Sequence, residues 1–364
     1  MRTAGLLLLV ASGCLSFCLT LIIRGLARRH RFVDEPEGRK AHAQPVPYGG
    51  GIAIFLSVVL PLSAVAAVVL LLDAQGRPTW FPDAIYGDFA VHIPGAASKL
   101  PQLAAILAGG LVIFLLGLID DRRRLGPWVK LVVQLAVAVG VAAAGIRVTA
   151  FLHSEILGAV LTVVWIIVIT NAFNFLDNMD GLSAGVALII GVIFVVVAAQ
   201  SGQLFIALAL VPFVGALAGF LPFNTSPASI FMGDAGSLFI GYFLAVLSVL
   251  FQFYSGPTVS FRPFALPLII FAVPLYDAVS VTLIRVREGR SPFSGDRRHL
   301  SHRLVQLGLS ERLAVAAIHL LTLGIGLAAV LLYLVEVRIG EVITIVQTLV
   351  LLSVVVVIER AIRS

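Results

Sequence analysis

The sequence predicts an all-α, polytopic membrane fold, and three observations lead there. Hydrophobic residues make up 60% of the 364-residue chain and charged residues only 12%, whereas a water-soluble domain carries roughly 25% charged residues. The mean hydropathy is +1.07, and the apolar residues lie in long blocks of the kind a spanning helix of about 20 residues requires. The charges fall between the blocks rather than within them. Only helices can span in such blocks without leaving backbone groups unpaired.

Eleven blocks are readable: residues 4–24, 49–72, 103–119, 127–145, 154–172, 182–200, 204–222, 236–254, 265–285, 312–335 and 339–358. The expectation is therefore about 11 transmembrane helices. No repeat or low-complexity tract divides the chain, so residues 1–364 are read as one integral membrane domain. The first block has its positive charge behind it (Arg24, Arg28, Arg29, Arg31). A secretory signal carries that charge in front, so the block is read as a first transmembrane helix. Cys14 and Cys18 lie within it and suggest no disulfide framework.

The net charge of +6 would suggest nucleic acid as a partner in a soluble protein. Here it describes topology, and no nucleic-acid partner is expected. With the N-terminus outside, the inner segments hold 19 of the 25 Lys and Arg residues. Cytoplasmic loops carry that excess, which places the C-terminus in the cytoplasm. The long outer loop 73–102 carries Trp80, Phe81, Tyr86 and Phe89, suited to a membrane interface.

The unusual polar residues gather in the inner loops or at the inner ends of blocks. Asp120-Asp121 ends the third block; adjacent carboxylates repel and call for a cation, which Arg122–Arg124 or Mg²⁺ could supply. Asn171, Asn174, Asp177 and Asp180 recur every third residue and would form one polar stripe on a helix. Interhelical hydrogen bonding accounts for one or two of the amides, but less well for four polar groups in register. Asp234 lies between Gly233 and Gly236 just before an apolar block. Such a site suits a helix cap, and equally a phosphate-bound Mg²⁺. Arg297, Arg298, His299, His302 and Arg303 crowd the most basic inner loop, which suits an anionic ligand. Asp277 lies inside the ninth block after Pro274 and either supports the site or makes a structural hydrogen bond. Walker loops, zinc spacings and nucleophile elbows are absent. The set fits metal-assisted phosphoryl transfer.

These motifs resemble those of the polyprenyl-phosphate N-acetylhexosamine-1-phosphate transferases, the superfamily containing WecA, TagO and the peptidoglycan enzyme MraY. The resemblance rests on Arg39-Lys40-Ala41-His42 with Pro47 and Gly49–Gly51, on Asp120-Asp121 with Leu125, Pro127 and Lys130, on Asn171 to Leu182, on Phe231 to Ser237, and on residues 296–304, all in the family's order. His-Leu-Ser-His-Arg-Leu resembles the WecA and TagO branch. Asn178 stands where many members have Gly, and Ser301 where many have a middle His.

The resemblance implies that Asp234 ligates Mg²⁺, with Mn²⁺ as an alternative, and that Asn174 lies near the metal. It implies that Asp120 and Asp121 engage or deprotonate a lipid phosphate. Asn224, Phe231 and Asp177 would face the uracil nucleotide, Phe231 by stacking. His299, His302 and Arg303 would hold the pyrophosphate and sugar, with His299 as a catalytic residue; Lys40, Lys130, Asn171 and Asp180 would complete the substrate site. The implied reaction transfers N-acetylhexosamine-1-phosphate, in the first instance GlcNAc-1-phosphate, from a UDP-sugar to undecaprenyl phosphate at the cytoplasmic face of the plasma (inner) membrane, and releases UMP. The lipid bilayer is then a partner, and a homodimer is allowed for. The alternatives are the phospho-MurNAc-pentapeptide transferase of peptidoglycan synthesis and, from another class, a secondary transporter. A transporter would place its polar site near the membrane midplane.

Overall fold

The computed structural model describes residues 2–34, 45–79, 86–87, 90–149, 154–251, 262–291, 297–334 and 338–361. Among them run α1 (Arg2–Arg29), β1 (Val33–Asp34), β2 (Val46–Pro47), α2 (Gly50–Gln75), α3 (Ile93–Arg123), α4 (Pro127–Ala143), α5 (Glu155–Leu176), α6 (Leu182–Gln200) and α7 (Leu204–Asn224). They are followed by α8 (Gly233–Leu250), α9 (Arg262–Ile270), α10 (Ala272–Arg287), α11 (Leu300–Gln306), α12 (Glu311–Leu334) and α13 (Arg338–Ala361). The fold is all-α and polytopic. Eight described helices (α1, α2, α3, α5, α6, α7, α8 and α12) are long and apolar enough to cross a membrane, while α4 and part of α13 are shorter apolar helices.

Three sequence expectations are corrected. The ninth block is two helices, with the break at Phe271 between α9 and α10. Pro274 has no N–H to offer the Ile270 carbonyl, and a proline ring crowds the carbonyl four residues back. In the first turn of α10 the same ring is tolerated. Helix α3 begins at Ile93, not at 103, because Pro94 suits a first helical turn; residues 93–102 are therefore helix rather than outer loop. The polar stripe also ends early. Helix α5 stops at Leu176, where the Asp177 N–H folds back on the Asn174 carbonyl at 3.3 Å. Asn171 and Asn174 are helical, but Asp177 and Asp180 belong to the turn that follows.

Helix α8 is the hub of the bundle. It packs against α3, α5, α2 and α6 and is buried along most of its length, as an all-round apolar helix should be. Lipid tails are as apolar as leucine, so packing and hydrogen bonds, rather than the hydrophobic effect, hold such helices together. The α1–α7 contact uses both: Ser16 Oγ donates to the Ala216 carbonyl at 2.7 Å across it. Leu6, Val10, Leu60, Leu115, Val164 and Leu323 face outward, toward lipid. The C-terminal ends of α3, α5 and α7, the starts of α2, α4 and α8, and the loop into α11 meet at one end of the bundle.

Candidate active site

The site is built around the start of α8. Asp121 Oδ1 accepts the Asp234 N–H at 2.7 Å and Oδ2 accepts the Ala235 N–H at 3.1 Å. These are orphan amides of the helix start, so the end of α3 caps α8. Gly117 makes the reach possible: a Cβ there would lie 2.4 Å from the Asp234 carbonyl. With that face bare, α3 comes close enough for Asp121, one turn on, to meet the amides. On the other side Gly51 abuts Gly236, where an added Cβ would lie 2.3 Å from its nitrogen. The Gly50 and Gly51 N–H groups donate to the carbonyls of Phe231 and Met232, each at 2.9 Å. The glycine run after β2 is thus a docking surface for the segment that carries Asp234.

The Asp234 carboxylate is held from two sides. Asn174 Nδ2 donates to its Oδ1 at 2.9 Å and also to Ser237 Oγ at 3.0 Å. Lys130 Nζ donates to its Oδ2 at 3.0 Å and to Asp120 Oδ2 at 2.8 Å. One ammonium therefore bridges two motifs, with Lys130 itself 104 residues from Asp234. Asp120 also accepts the Leu125 N–H, closing the turn into α4. Asn171 takes no part in this cluster. It pairs with Gln134 of α4 and donates to the Ile167 carbonyl at 2.8 Å, an interhelical amide bond.

The turn after α5 carries Asp177 and Asp180. Asp180 Oδ2 accepts the Ala228 N–H at 2.8 Å. Asn224 is buried and clamps two loops: its Oδ1 accepts the Gly181 N–H and its Nδ2 donates to the Ile230 carbonyl, both at 3.1 Å. Burial, and then the charges of Asp234, Asp121 and Asp180, raise the pKa of Asp177 well above the ordinary carboxylate value.

A cavity of about 780 Å³ opens here. Asp34, Asp121, Asp177, Asp180, Asp234 and Glu311 line it with carboxylates, Arg28, Arg297 and His302 with basic groups, and Phe231 and Asn224 also belong to the lining. Tyr48, whose ring centre lies 6.0 Å from that of Phe231, is a second aromatic on the wall. Burial and hydrogen bonding to Asp34 push its phenol pKa up. The polar groups are gathered at one end of the bundle, not at mid-depth as a transporter site would require.

Residues 103–252 match the family described as Glycosyl transferase family 4. Over 324 residues the chain is 33% identical to a probable undecaprenyl-phosphate N-acetylglucosaminyl 1-phosphate transferase of Bacillus subtilis, covering 86% of this chain and 81% of that protein. It is 32% identical to a decaprenyl-phosphate N-acetylglucosaminephosphotransferase of Mycolicibacterium smegmatis, with 85% and 78% covered. To the undecaprenyl-phosphate alpha-N-acetylglucosaminyl 1-phosphate transferase of Escherichia coli it is 27% identical, with 82% and 75% covered. The chain belongs to the polyprenyl-phosphate N-acetylglucosamine-1-phosphate transferase family.

Beyond the cavity-lining residues, the family's histidine loop is anchored to α10. Asp277 is fully buried; its Oδ2 lies 2.8 Å from His299 Nδ1 and its Oδ1 accepts the Leu300 N–H at 2.6 Å. Arg285 Nη2 lies 3.4 Å from His299 Nε2. Arginine can only donate, so Nε2 accepts and Nδ1 carries the proton toward Asp277. His299 is only 5% exposed and lies behind the wall. Arg303, also buried, donates from Nη2 to Ser280 Oγ at 2.8 Å. Lys40 lies outside the described residues.

Sequence reasoning did not single out Tyr48, Arg28 or Arg285 as site residues, and it named Arg297 only as part of the basic loop. Tyr48 had a signal, as the one aromatic between Lys40 and the glycine run Gly49–Gly51. Arg28 and Arg285 look like ordinary topological charge until their neighbours are known.

The donor set suits a divalent cation. Hard carboxylate oxygens of Asp121, Asp177 and Asp234 share one cavity, and burial together with the charges of its neighbours raises the pKa of Asp177. Among the described residues no three His, Cys, Asp or Glu side chains form a ready ligand cluster.

Proposed function

We propose that this chain transfers N-acetylglucosamine-1-phosphate from a UDP-sugar to undecaprenyl phosphate at the cytoplasmic face of the plasma membrane, and that UMP leaves. The observation that carries the reading is one membrane-end cavity lined with carboxylates, basic groups and an aromatic ring. The names of the relatives support the acceptor and the transferred group.

The reaction joins two anions, so the barrier is electrostatic. Arg28, Arg297 and His302 line the cavity, where they would meet the diphosphate, and Phe231 and Tyr48 would flank the uracil. Asp120, held by Lys130 and the Leu125 N–H, and Asp121 would engage the lipid phosphate. Asp234 and Asp177, with the Asn174 amide beside them, would hold Mg²⁺ or Mn²⁺. When bound, the ion neutralises diphosphate charge as it builds up on the leaving group.

The test is purified protein with undecaprenyl phosphate and a panel of UDP-sugars, scored by UMP release. UDP-N-acetylglucosamine should be the best donor. No UMP from any donor, with folded protein and added Mg²⁺, would overturn the reading. Orientation is tested separately. In a background lacking Cys14 and Cys18, Ser291→Cys should resist an impermeant thiol reagent in intact cells and react after permeabilisation.

A further inference from the structure

The turn that carries Asp177 and Asp180 touches the histidine loop through the side chains of Asn178 and Ser301. Ser301 Oγ donates to Asn178 Oδ1 at 2.5 Å, linking residues 123 positions apart. The pair is pre-set from both sides. Asn178 Nδ2 donates to the Phe175 carbonyl at 2.7 Å, which turns its oxygen outward. Ser301 is 1% exposed and lies in the first turn of α11, directly between the two anchor points on α10: Leu300 on Asp277 and Arg303 on Ser280.

We propose that Asn178 and Ser301 form a positioning tie that sets the separation of Asp177 and His302 in the cavity lining. Asn178 follows Asp177, and Ser301 precedes His302, so a bond between them fixes how far that carboxylate stands from that imidazole. A donor that touches both groups must match that distance. Neither side chain supplies charge or a nucleophile, so the tie acts on binding rather than on the chemical step. The amide and the hydroxyl satisfy each other.

This inference rests on the proposed nucleotide-sugar reading only for its kinetic arm. Ser301→Ala, Asn178→Ala and the double variant are compared by hydrogen exchange of the protein without substrate. Backbone amides of residues 177–181 should exchange faster in Ser301→Ala, and the double variant should behave like Asn178→Ala alone. In turnover assays Ser301→Ala should raise the KM for UDP-N-acetylglucosamine about two- to tenfold, the worth of one hydrogen bond, with kcat nearly unchanged. Unchanged exchange at 177–181 in Ser301→Ala would overturn the tie, as would additive effects in the double variant or a loss confined to kcat. If Ser301→Ala does not fold, faster exchange of residues 299–303 in Asn178→Ala reads the same contact from the other side. If the wild type releases no UMP, the functional reading fails while the exchange comparison still decides the tie.

Discussion

Asp121 and Asp277 serve the backbone in the same way. Each carboxylate reaches from one helix to the start of another, Asp121 to the amides of Asp234 and Ala235, Asp277 to that of Leu300. Their surroundings differ. Asp277 is fully buried, and its second oxygen meets His299, which in turn meets Arg285, so acid, imidazole and guanidinium close on one another. Asp121 lines the cavity among Asp177, Asp180 and Asp234, with a single ammonium, Lys130, bridging Asp120 and Asp234. The sealed junction is complete without a ligand. The open one has more negative charge than its own side chains neutralise, and a substrate or ion can act there.

The largest test of this contrast is Asp234→Asn at the open junction. Asp234 caps no amide itself; its oxygens accept from Asn174 and Lys130, and Asn keeps one of these acceptors, so folding should change by only about 1 kcal/mol. Turnover should fall by about three orders of magnitude, because several kcal/mol of charge stabilisation depend on the carboxylate, at about 1.4 kcal/mol per tenfold. Near-normal turnover would make the open junction a cap and nothing more.

The second test exchanges the two caps. Asp121→Asn exchanges one of its two amide acceptors for a donor but removes a charge from an acidic cluster, so its thermal midpoint should fall less than that of Asp277→Asn while activity is lost. Asp277→Asn should lose about 1–3 kcal/mol of stability. Its amide would either set a donor against His299 Nδ1–H or force the tautomer that points Nε2–H at Arg285. Thermal unfolding of both variants in detergent decides it, and equal small losses would erase the distinction.

Phe231, just before the open junction, sharpens the contrast further. Stacking on a base is worth about 1–3 kcal/mol, so Phe231→Ala should weaken UDP-sugar binding roughly ten- to a hundredfold. Phe231→Trp and Phe231→Tyr should retain much of it, and the apparent affinity for undecaprenyl phosphate should change little. Equal losses for both substrates would make Phe231 a packing residue.

The smallest effect is in pH dependence. Asp177 has its pKa raised by burial and by neighbouring carboxylates, so the folded state holds its proton more tightly than the unfolded chain. Stability present at low pH should therefore be lost as pH rises from about 4, the unfolded value. In the presence of EDTA, Asp177→Asn should flatten the curve of thermal midpoint against pH. Mg²⁺ added at neutral pH should raise the midpoint of the wild type more than that of the variant. An unaltered curve would mean that Asp177 does not feel the open junction's charge.

Much of this was legible from residue order. The blocks announced the helices because apolar length is a local property, and Asp234 stood out because carboxylates are rare at the edge of an apolar block. Less legible was what each polar residue does. Asn171 and Asn174 lie three apart on one helix, yet one pairs with Gln134 and the other with Asp234. Their partners come from different helices, which spacing cannot reveal. The three-residue rhythm from Asn171 to Asp180 suggested one helical stripe, but the chain leaves the helix at Leu176.

By itself the sequence determined that the chain is an all-α membrane protein, where its apolar segments lie, and which family it belongs to, because composition, block length and motif order survive without coordinates. Tertiary structure alone decided that Asp121 caps α8, that Asp277 seals His299 against Arg285, that Arg28 and Tyr48 join the cavity, and that Asn178 meets Ser301. Each of these joins residues far apart in the chain. Whether a carboxylate is a cap, a ligand or a counter-ion depends on the donors within about 3 Å of it, and only packing brings those donors there.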